Sequence, residues 1–264
     1  MTGSAEGRRD RRGSGLADRD DRERDFWGHH IPSLETCLGE YEAGPDLNTE
    51  AMLRAVEPVA GARILDFACG GGVTSAWLSA RGARVVGVDL SPESLDRARQ
   101  VHTALGLEAA FVISLEEADS LGPFDAVVGR YALHHTNVAE IGPLLAGRVR
   151  PGGRGAFVET FATNPLLHLA RRTLPGRLGI RKVGTADERP LGRPDVAALA
   201  SAFGELELSC AQMHFLRILD RQVLRYRYRR LSAALGWLDD RIAAVPRSTS
   251  LSYFQVVGVR RAGN

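Results

Sequence analysis

Lysine is almost absent: Lys182 stands alone among 34 basic residues, and all the others are arginine. A bias that uniform is the mark of a G+C-rich coding sequence, so no arginine gains weight merely by being arginine. Cysteine is scarce too. Cys37, Cys69 and Cys210 are odd in number and far apart, with neither a C-x-x-C pair nor a zinc spacing. That excludes a disulfide framework and makes a reduced, cytoplasmic compartment the expectation. No run of about 18 apolar residues occurs, so no membrane-spanning segment is expected. An excess of one charge is missing as well. The formal net charge of +2 supplies no field for nucleic acid, and no such partner is expected. At the N-terminus there is no apolar h-region. Arg8 to Asp25 alternates arginine with Asp and Glu, which reads as a disordered charged tail over 1–25 rather than a signal peptide.

What remains, 26–264, is long enough for one α/β domain with insertions. Residues 26–60 read as helices, with Trp27, Leu34, Leu38 and Tyr41 at helical spacing and a turn at Gly44-Pro45. From Arg63 short apolar strands alternate with amphipathic helices. The expected strands are Arg63–Ala68, Arg84–Asp89, Ala110–Ser114, Asp125–Gly129 and Gly155–Thr160. Ser91 followed by Pro92 marks a helix start. This alternation means βαβ units and a mainly parallel sheet, which binds ligands at the carboxyl ends of its strands where the strand order reverses. Beyond residue 160 the expectations are an irregular 161–194 rich in proline and arginine, a helix over Asp195–Phe203 and a strand over Glu205–Ala211. One long helix over Arg217–Ala244 and a last strand over Leu251–Val259 complete the chain.

The densest signal is Ile64-Leu65-Asp66-Phe67-Ala68-Cys69-Gly70-Gly71-Gly72, a strand running directly into a helix. Small residues there let the backbone pass close under a ligand. No G-K-[ST] follows, so this is not a P-loop. It is also a poor G-x-G-x-x-G, which argues against a nicotinamide-dependent oxidoreductase. Asp89 then ends the next strand, about 20 residues after the glycines, where a carboxylate accepts hydrogen bonds from both hydroxyls of a ribose.

The stretches ILDFACGGG, VVGVDLSPESLDRAR, FDAVVGRYALHHT and LLAGRVRPGGRGAFVE, in this order over residues 60–160, resemble the small-molecule branch of the bacterial-type class I S-adenosylmethionine-dependent methyltransferases. The resemblance implies a Rossmann-like three-layer sandwich. Its seven-stranded sheet is mostly parallel with the last strand antiparallel, and helical N-terminal and C-terminal cap insertions are added. It implies a cofactor-binding core over 61–160 and acceptor-side segments over 161–250, with Leu251–Val259 as the antiparallel strand. S-adenosylmethionine is the implied cofactor and S-adenosylhomocysteine its product. Asp66, Ala68, Gly70 and Gly72 would surround the methionine end, and Tyr41 would close over its carboxylate. Asp89 would hold the ribose, with Leu90 against the adenine. Ser114 and Leu115 stand at the adenine position. The family usually has an Asp where Ser114 is, so Glu116 is an alternative contact. Arg130 would meet the cofactor through its backbone.

Methyl transfer from a sulfonium needs a dry pocket that aligns the acceptor, and a base only where the acceptor must lose a proton. His134 and His135, after the fourth strand, are the candidate bases, and Glu159, at the end of the fifth, would border the same mouth and orient an acceptor. Tyr131 and His168 are weaker candidates. No acid stands at that loop to hold magnesium, so no metal is expected. The loop also lacks the Asp/Asn-Pro-Pro-aromatic signature of enzymes acting on planar nitrogens. The acceptor is therefore expected to be a small or medium-sized molecule, methylated on O, N or C. Arg171, Arg172, Arg181, Lys182, Arg189 and Arg193 form a candidate anion site. The basic stretch LRYRYRRL could clamp a phosphorylated acceptor or make a peripheral membrane contact. Such segments suit an anionic acceptor or a tailoring substrate of secondary metabolism. A methyltransferase-like protein that binds the cofactor without methylating, as a scaffold or a rearrangement catalyst, is the alternative.

Overall fold

Strands form where β-branched and apolar runs are short and bracketed by glycine, proline or a helix cap, and seven such runs pair into one sheet. They are β1 (Arg63–Phe67), β2 (Arg84–Val88), β3 (Ala110–Val112), β4 (Phe124–Arg130), β5 (Val149–Thr160), β6 (Gly204–Ser209) and β7 (Phe254–Arg261), in the order β3-β2-β1-β4-β5-β7-β6. Strands β1 to β5 run parallel, while β7 is antiparallel to both β5 and β6. The computed structural model describes residues 22, 24, 29–173, 189–245 and 247–263. Phe26, Trp27, Arg181, Lys182 and most of the charged tail lie outside the described residues, as do the side chains of Arg171 and Arg172.

Strands β1, β2, β4, β5 and β7 bury both faces, while the edge strands β3 and β6 stay partly exposed. On one side Ile64, Val85, Ala126, Val128, Ala156 and Val158 pack under α1 (Leu34–Ala43), α2 (Leu47–Ala55), α3 (Val73–Ala80) and α4 (Pro92–Leu105). On the other, Leu65, Phe67, Val86, Val127 and Phe157 pack under α5 (Leu115–Asp119), α6 (Val138–Arg148) and α8 (Arg193–Phe203). This is the three-layer sandwich expected of a parallel sheet. Helix α2 lies over β4, β5 and β7, while α1 packs on α3 and α4, and α2 is anchored through Asn48. That buried amide accepts from the N–H groups of Ala211 (2.9 Å) and Gln212 (3.0 Å) and donates to the Gln212 carbonyl (3.2 Å). The chain steps outward from β1 to β3 and then returns to β4 on the far side of β1. The reversal lies between β1 and β4, and the site is sought at their carboxyl ends.

Local signals mark most boundaries. The Ser91 hydroxyl accepts from the Ser94 N–H (3.1 Å) with Pro92 in the first turn of α4. Strand β3 stops before Ser114, whose hydroxyl accepts from the Glu117 N–H at 3.2 Å and so opens α5.

Two expectations are corrected. The 217–244 helix is broken into α9 (Leu216–Leu219), a π turn over Asp220–Leu224, a bend with Arg225 and Tyr226 at φ of 53° and 57°, and α10 (Arg229–Ala243). The cause is Asp239. Its wholly buried carboxylate accepts from the N–H groups of Phe215 (3.2 Å), Leu216 (2.8 Å) and Arg217 (2.9 Å), so α10 must fold back against the start of α9. The last strand begins at Phe254 rather than Leu251. Ser248–Leu251 is a 3-10 turn, and the Ser252 hydroxyl donates to the Phe254 carbonyl (2.7 Å) and accepts from the His214 N–H (3.0 Å). Helix α7 (Pro165–Thr173) lies in the segment read as irregular.

Asp239→Ala leaves three N–H groups without an acceptor and costs the α9–α10 hairpin about 3 kcal/mol. Tryptic cleavage between Arg221 and Arg230 should then accelerate on the order of 100-fold, while the melting of the sheet moves little. Unchanged cleavage would separate the hairpin from this carboxylate.

Candidate functional site at the strand reversal

At the carboxyl end of β1 the backbone turns through three left-handed residues, Ala68 (φ 54°), Gly70 (φ 51°) and Gly72 (φ 78°). Gly72 is required by packing: an added Cβ would stand 2.7 Å from the Ala98 Cβ, so α4 could not approach. Around Gly70 an added Cβ would meet nothing within 4 Å, and the turn is open on that side. Ala68 is exposed, and its methyl bears the left-handed strain a glycine would escape.

Two carboxylates flank the turn. Asp89, just past β2, accepts from the Gly70 N–H (2.9 Å) on one oxygen and from the Ser91 N–H (3.0 Å) on the other, so each oxygen keeps capacity for a further donor. Burial holds its carboxyl above the usual range against those two bonds. Leu90 beside it is exposed. Asp66 is buried beneath and bonded to the Ser75 hydroxyl at 2.6 Å. Desolvation pushes its carboxyl up to about 7, with the nearby Arg130 guanidinium opposing.

Ser114, Leu115 and Glu116 lie at the next strand end. The Ser114 hydroxyl is engaged in capping α5, and Leu115 is buried in the core. The Glu116 carboxyl is exposed and held below its usual range by its own N–H and by the Ser114 hydroxyl.

Arg130 ends β4. Its guanidinium pairs with Glu40 of α1 at 2.6 Å and sits 5.3 Å over the Trp77 ring. Glu40 carries no sequence signal of its own. Tyr41 beside it is half-buried against the core, and its carbonyl accepts from the Trp77 indole N–H at 3.2 Å.

The loop after β4 begins with Tyr131 in the left-handed region (φ 59°), a strained backbone for an aromatic residue at a strand end. Burial pushes its hydroxyl up to about 12. Glu159 was expected to border the pocket mouth, yet it is wholly buried. One of its oxygens accepts from the N–H groups of Ala132 (2.8 Å) and Leu133 (2.6 Å), and the other meets His134 Nδ1 at 2.7 Å. A carboxylate oxygen at Glu159 can only accept, and in that pairing the proton sits on Nδ1. The His135 ring lies against that of His134, centroids 4.1 Å apart and planes tilted by 39°. His168 is exposed on α7. Arg189, expected in an anion site, is instead held bidentate by Asp195 at 2.8 and 2.7 Å.

Three rings converge on Phe254 at the start of β7: Tyr131 at 5.4 Å, His214 at 5.1 Å and Tyr253 at 4.9 Å. Burial lowers the affinity of His214 for a second proton. This ring wall was not legible in the sequence, since its members are 123 residues apart at most and share no pattern. Among the described residues no group of three or more His, Cys, Asp or Glu side chains is placed to hold a metal ion.

Asp66 makes stability depend on pH. The folded chain keeps its proton from the ordinary value of 3.8 up to about 7, whereas the unfolded chain releases it, so stability falls as pH rises through that window and then levels. Asp66→Asn should flatten this slope. The difference in unfolding free energy between variant and wild type should grow by up to about 4 kcal/mol between the two ends of the window, measured from denaturant midpoints. Parallel profiles would assign the carboxyl an ordinary acidity.

Residues 64–153 match the family model described as "Methyltransferase domain". Along 163 residues the chain is 32% identical to the "Ubiquinone biosynthesis O-methyltransferase" of Aeromonas salmonicida (strain A449), which is 59% of this chain and 67% of that protein. To the protein of the same name from Xylella fastidiosa (strain 9a5c) it is 38% identical over 107 residues, 39% of this chain and less than half (43%) of the relative. Among solved structures, the YcgJ protein of Bacillus subtilis superposes with a TM-score of 0.53 at 21% identity, over 82% of this chain and 99% of that one, a likeness of fold alone. A match at 32% identity over two thirds of a relative decides the lineage: the chain belongs to the class I S-adenosylmethionine-dependent methyltransferases.

Proposed function

We propose that the protein methylates an oxygen atom of a small, planar hydroxylated acceptor. The observation that carries this reading is the His134–Glu159 pair, an imidazole whose tautomer is set by a buried carboxylate. A hydroxyl must shed its proton as it attacks, and the oriented imidazole supplies a receiver for it. Those two relatives are both named for O-methylation in ubiquinone biosynthesis. That sets a quinol-type acceptor ahead of the tailoring substrate of secondary metabolism expected above.

The residues at the strand reversal fit the cofactor. The open side of Gly70, the spare acceptor capacity of Asp89 and the exposed Leu90 match the close approach, the ribose diol and the adenine face respectively. S-adenosylmethionine, when bound, supplies a methyl group made electrophilic by the sulfonium that leaves it. The rest is the work of the chain. Asp89 accepts from the ribose hydroxyls. Asp66 would draw the ammonium end, and the Arg130 guanidinium, which pairs with Glu40 in this structure, would draw the carboxylate. Glu159 holds the Ala132–His134 loop and keeps the proton on Nδ1, so His134 Nε2 is the basic nitrogen. The ring wall of Tyr131, His214 and Phe254 gives a planar acceptor a face to pack on.

Two sets of measurements test this. By calorimetry, Asp89→Ala should weaken S-adenosylhomocysteine about 100-fold. Arg130→Met should weaken S-adenosylhomocysteine while sparing 5′-methylthioadenosine, which lacks the amino-acid end. Equal losses for both ligands would remove Arg130 from the carboxylate.

Turnover is followed as S-adenosylhomocysteine release with catechols and hydroquinones. Glu159→Gln keeps an oxygen for the two N–H groups but turns an amide donor toward Nδ1. It should lower kcat about 100-fold or more with cofactor affinity unchanged, as should His134→Gln. His135→Gln should keep most of the rate. The reverse pattern would make His135 the base, and full rate in all three would mean that no base is used.

A further inference from the structure

Helix α10 faces water in an unusual way. Of its fifteen residues one is buried, and that one is Asp239. Leu231, Leu238 and, past its end, Val245 recur every seven residues along one exposed stripe, with Trp237 beside them at 56% exposure. A surface helix ordinarily turns such a stripe inward. Here the inward side carries Ser232, Leu235, Gly236 and Ile242, all only half-buried. Helix α7 adds Leu166, 65% exposed, and Leu169. It is tied to the 3-10 turn that follows α10, because the Thr163 hydroxyl donates to the Ser250 carbonyl (2.8 Å) and the Asn164 amide to that of Leu251 (2.9 Å). Tyr226 and Tyr228 stand exposed at the other end of α10.

Charge surrounds this apolar surface with one sign. Arg221, Arg227, Arg229, Arg230 and Arg247 are exposed and make no ion pair among the described residues. Of the acids nearby, Asp220 is buried, Asp239 is buried and bonded to three backbone N–H groups, and the exposed Asp240 is paired with Arg217. The Arg241 guanidinium covers the Trp237 ring at 5.0 Å. Exposed leucines, Trp and Tyr at the margin and arginine outside them are the layers of a helix lying in a headgroup region, apolar side chains toward the acyl boundary and guanidinium groups among phosphates.

We propose that this face, α10 with the start of α7, docks on the surface of an anionic lipid bilayer. A second copy of the chain fits it less well, since a two-fold contact through the same patch would set arginine against arginine. The docking is independent of the acceptor and of the cofactor residues.

The test is co-sedimentation of the full chain with phosphatidylcholine vesicles, with and without phosphatidylglycerol, at low and high salt. Binding is expected to the anionic vesicles alone, released by salt. Arg229→Ala and Arg230→Ala should each weaken it about fivefold, and Trp237→Ala about tenfold. Leu231→Ser gives a second apolar variant in case Trp237→Ala alters the melt. All these side chains are exposed, so melting and S-adenosylhomocysteine affinity should stay at wild-type values, which separates this result from failure of the cofactor site. No binding to anionic vesicles, equal binding to neutral ones, or variants that bind like wild type would overturn the proposal. So would a wild-type dimer in sedimentation velocity that Trp237→Ala dissolves, which gives the face to a second copy.

Discussion

A carboxylate taken out of water is costly without donors, and for Glu159, Asp89 and Asp239 backbone N–H groups supply them. Glu159, wholly buried at the end of β5, gathers Ala132, Leu133 and His134 and so shapes the segment between β4 and α6. Asp89 ties the glycine turn of β1 to the start of α4. Asp239 folds the α9–α10 hairpin. Three parts of the chain that are remote from one another in sequence are each held by one acid, and truncating that acid strands several donors at once rather than one.

Electrostatics divide the site in two. On the cofactor side the acids Asp66 and Asp89 face the Arg130–Glu40 pair across the glycine turn, an arrangement suited to a ligand with both an ammonium and a carboxylate. On the other side the ionisable groups are an oriented imidazole pair and a wall of rings around Phe254. Two of the non-glycine residues in the left-handed region, Ala68 and Tyr131, stand where the two halves meet, at the carboxyl ends of β1 and β4.

The outer segments follow a different logic from the core. The sheet and its covering helices bury apolar side chains on both faces. The 216–245 hairpin buries an acid and exposes leucine and tryptophan. Hydrogen bonds to Asp239 and ion pairs of Arg217 join its two helices, and its apolar stripe is exposed among the described residues.

By itself the sequence determined whatever depends on neighbours a few residues apart. The alternation of strands and helices, the small residues of the β1 turn, Asp89 at a strand tip and the Ser91-Pro92 helix start are local choices of backbone and cap, and they sufficed to read the fold and the cofactor. Tertiary structure alone decided which charged groups would lose their water. Glu159 reads as a mouth residue until β7 and the β4 loop close over it. Arg130 finds Glu40 some 90 residues upstream, and the helix expected over 217–244 breaks because Asp239 claims N–H groups 22 to 24 residues before it. The start of the last strand moved to Phe254 for the same reason, as Ser252 bonds to His214 38 residues away. Such pairings are chosen by burial, which takes its value from the whole packed chain and leaves no period in the sequence.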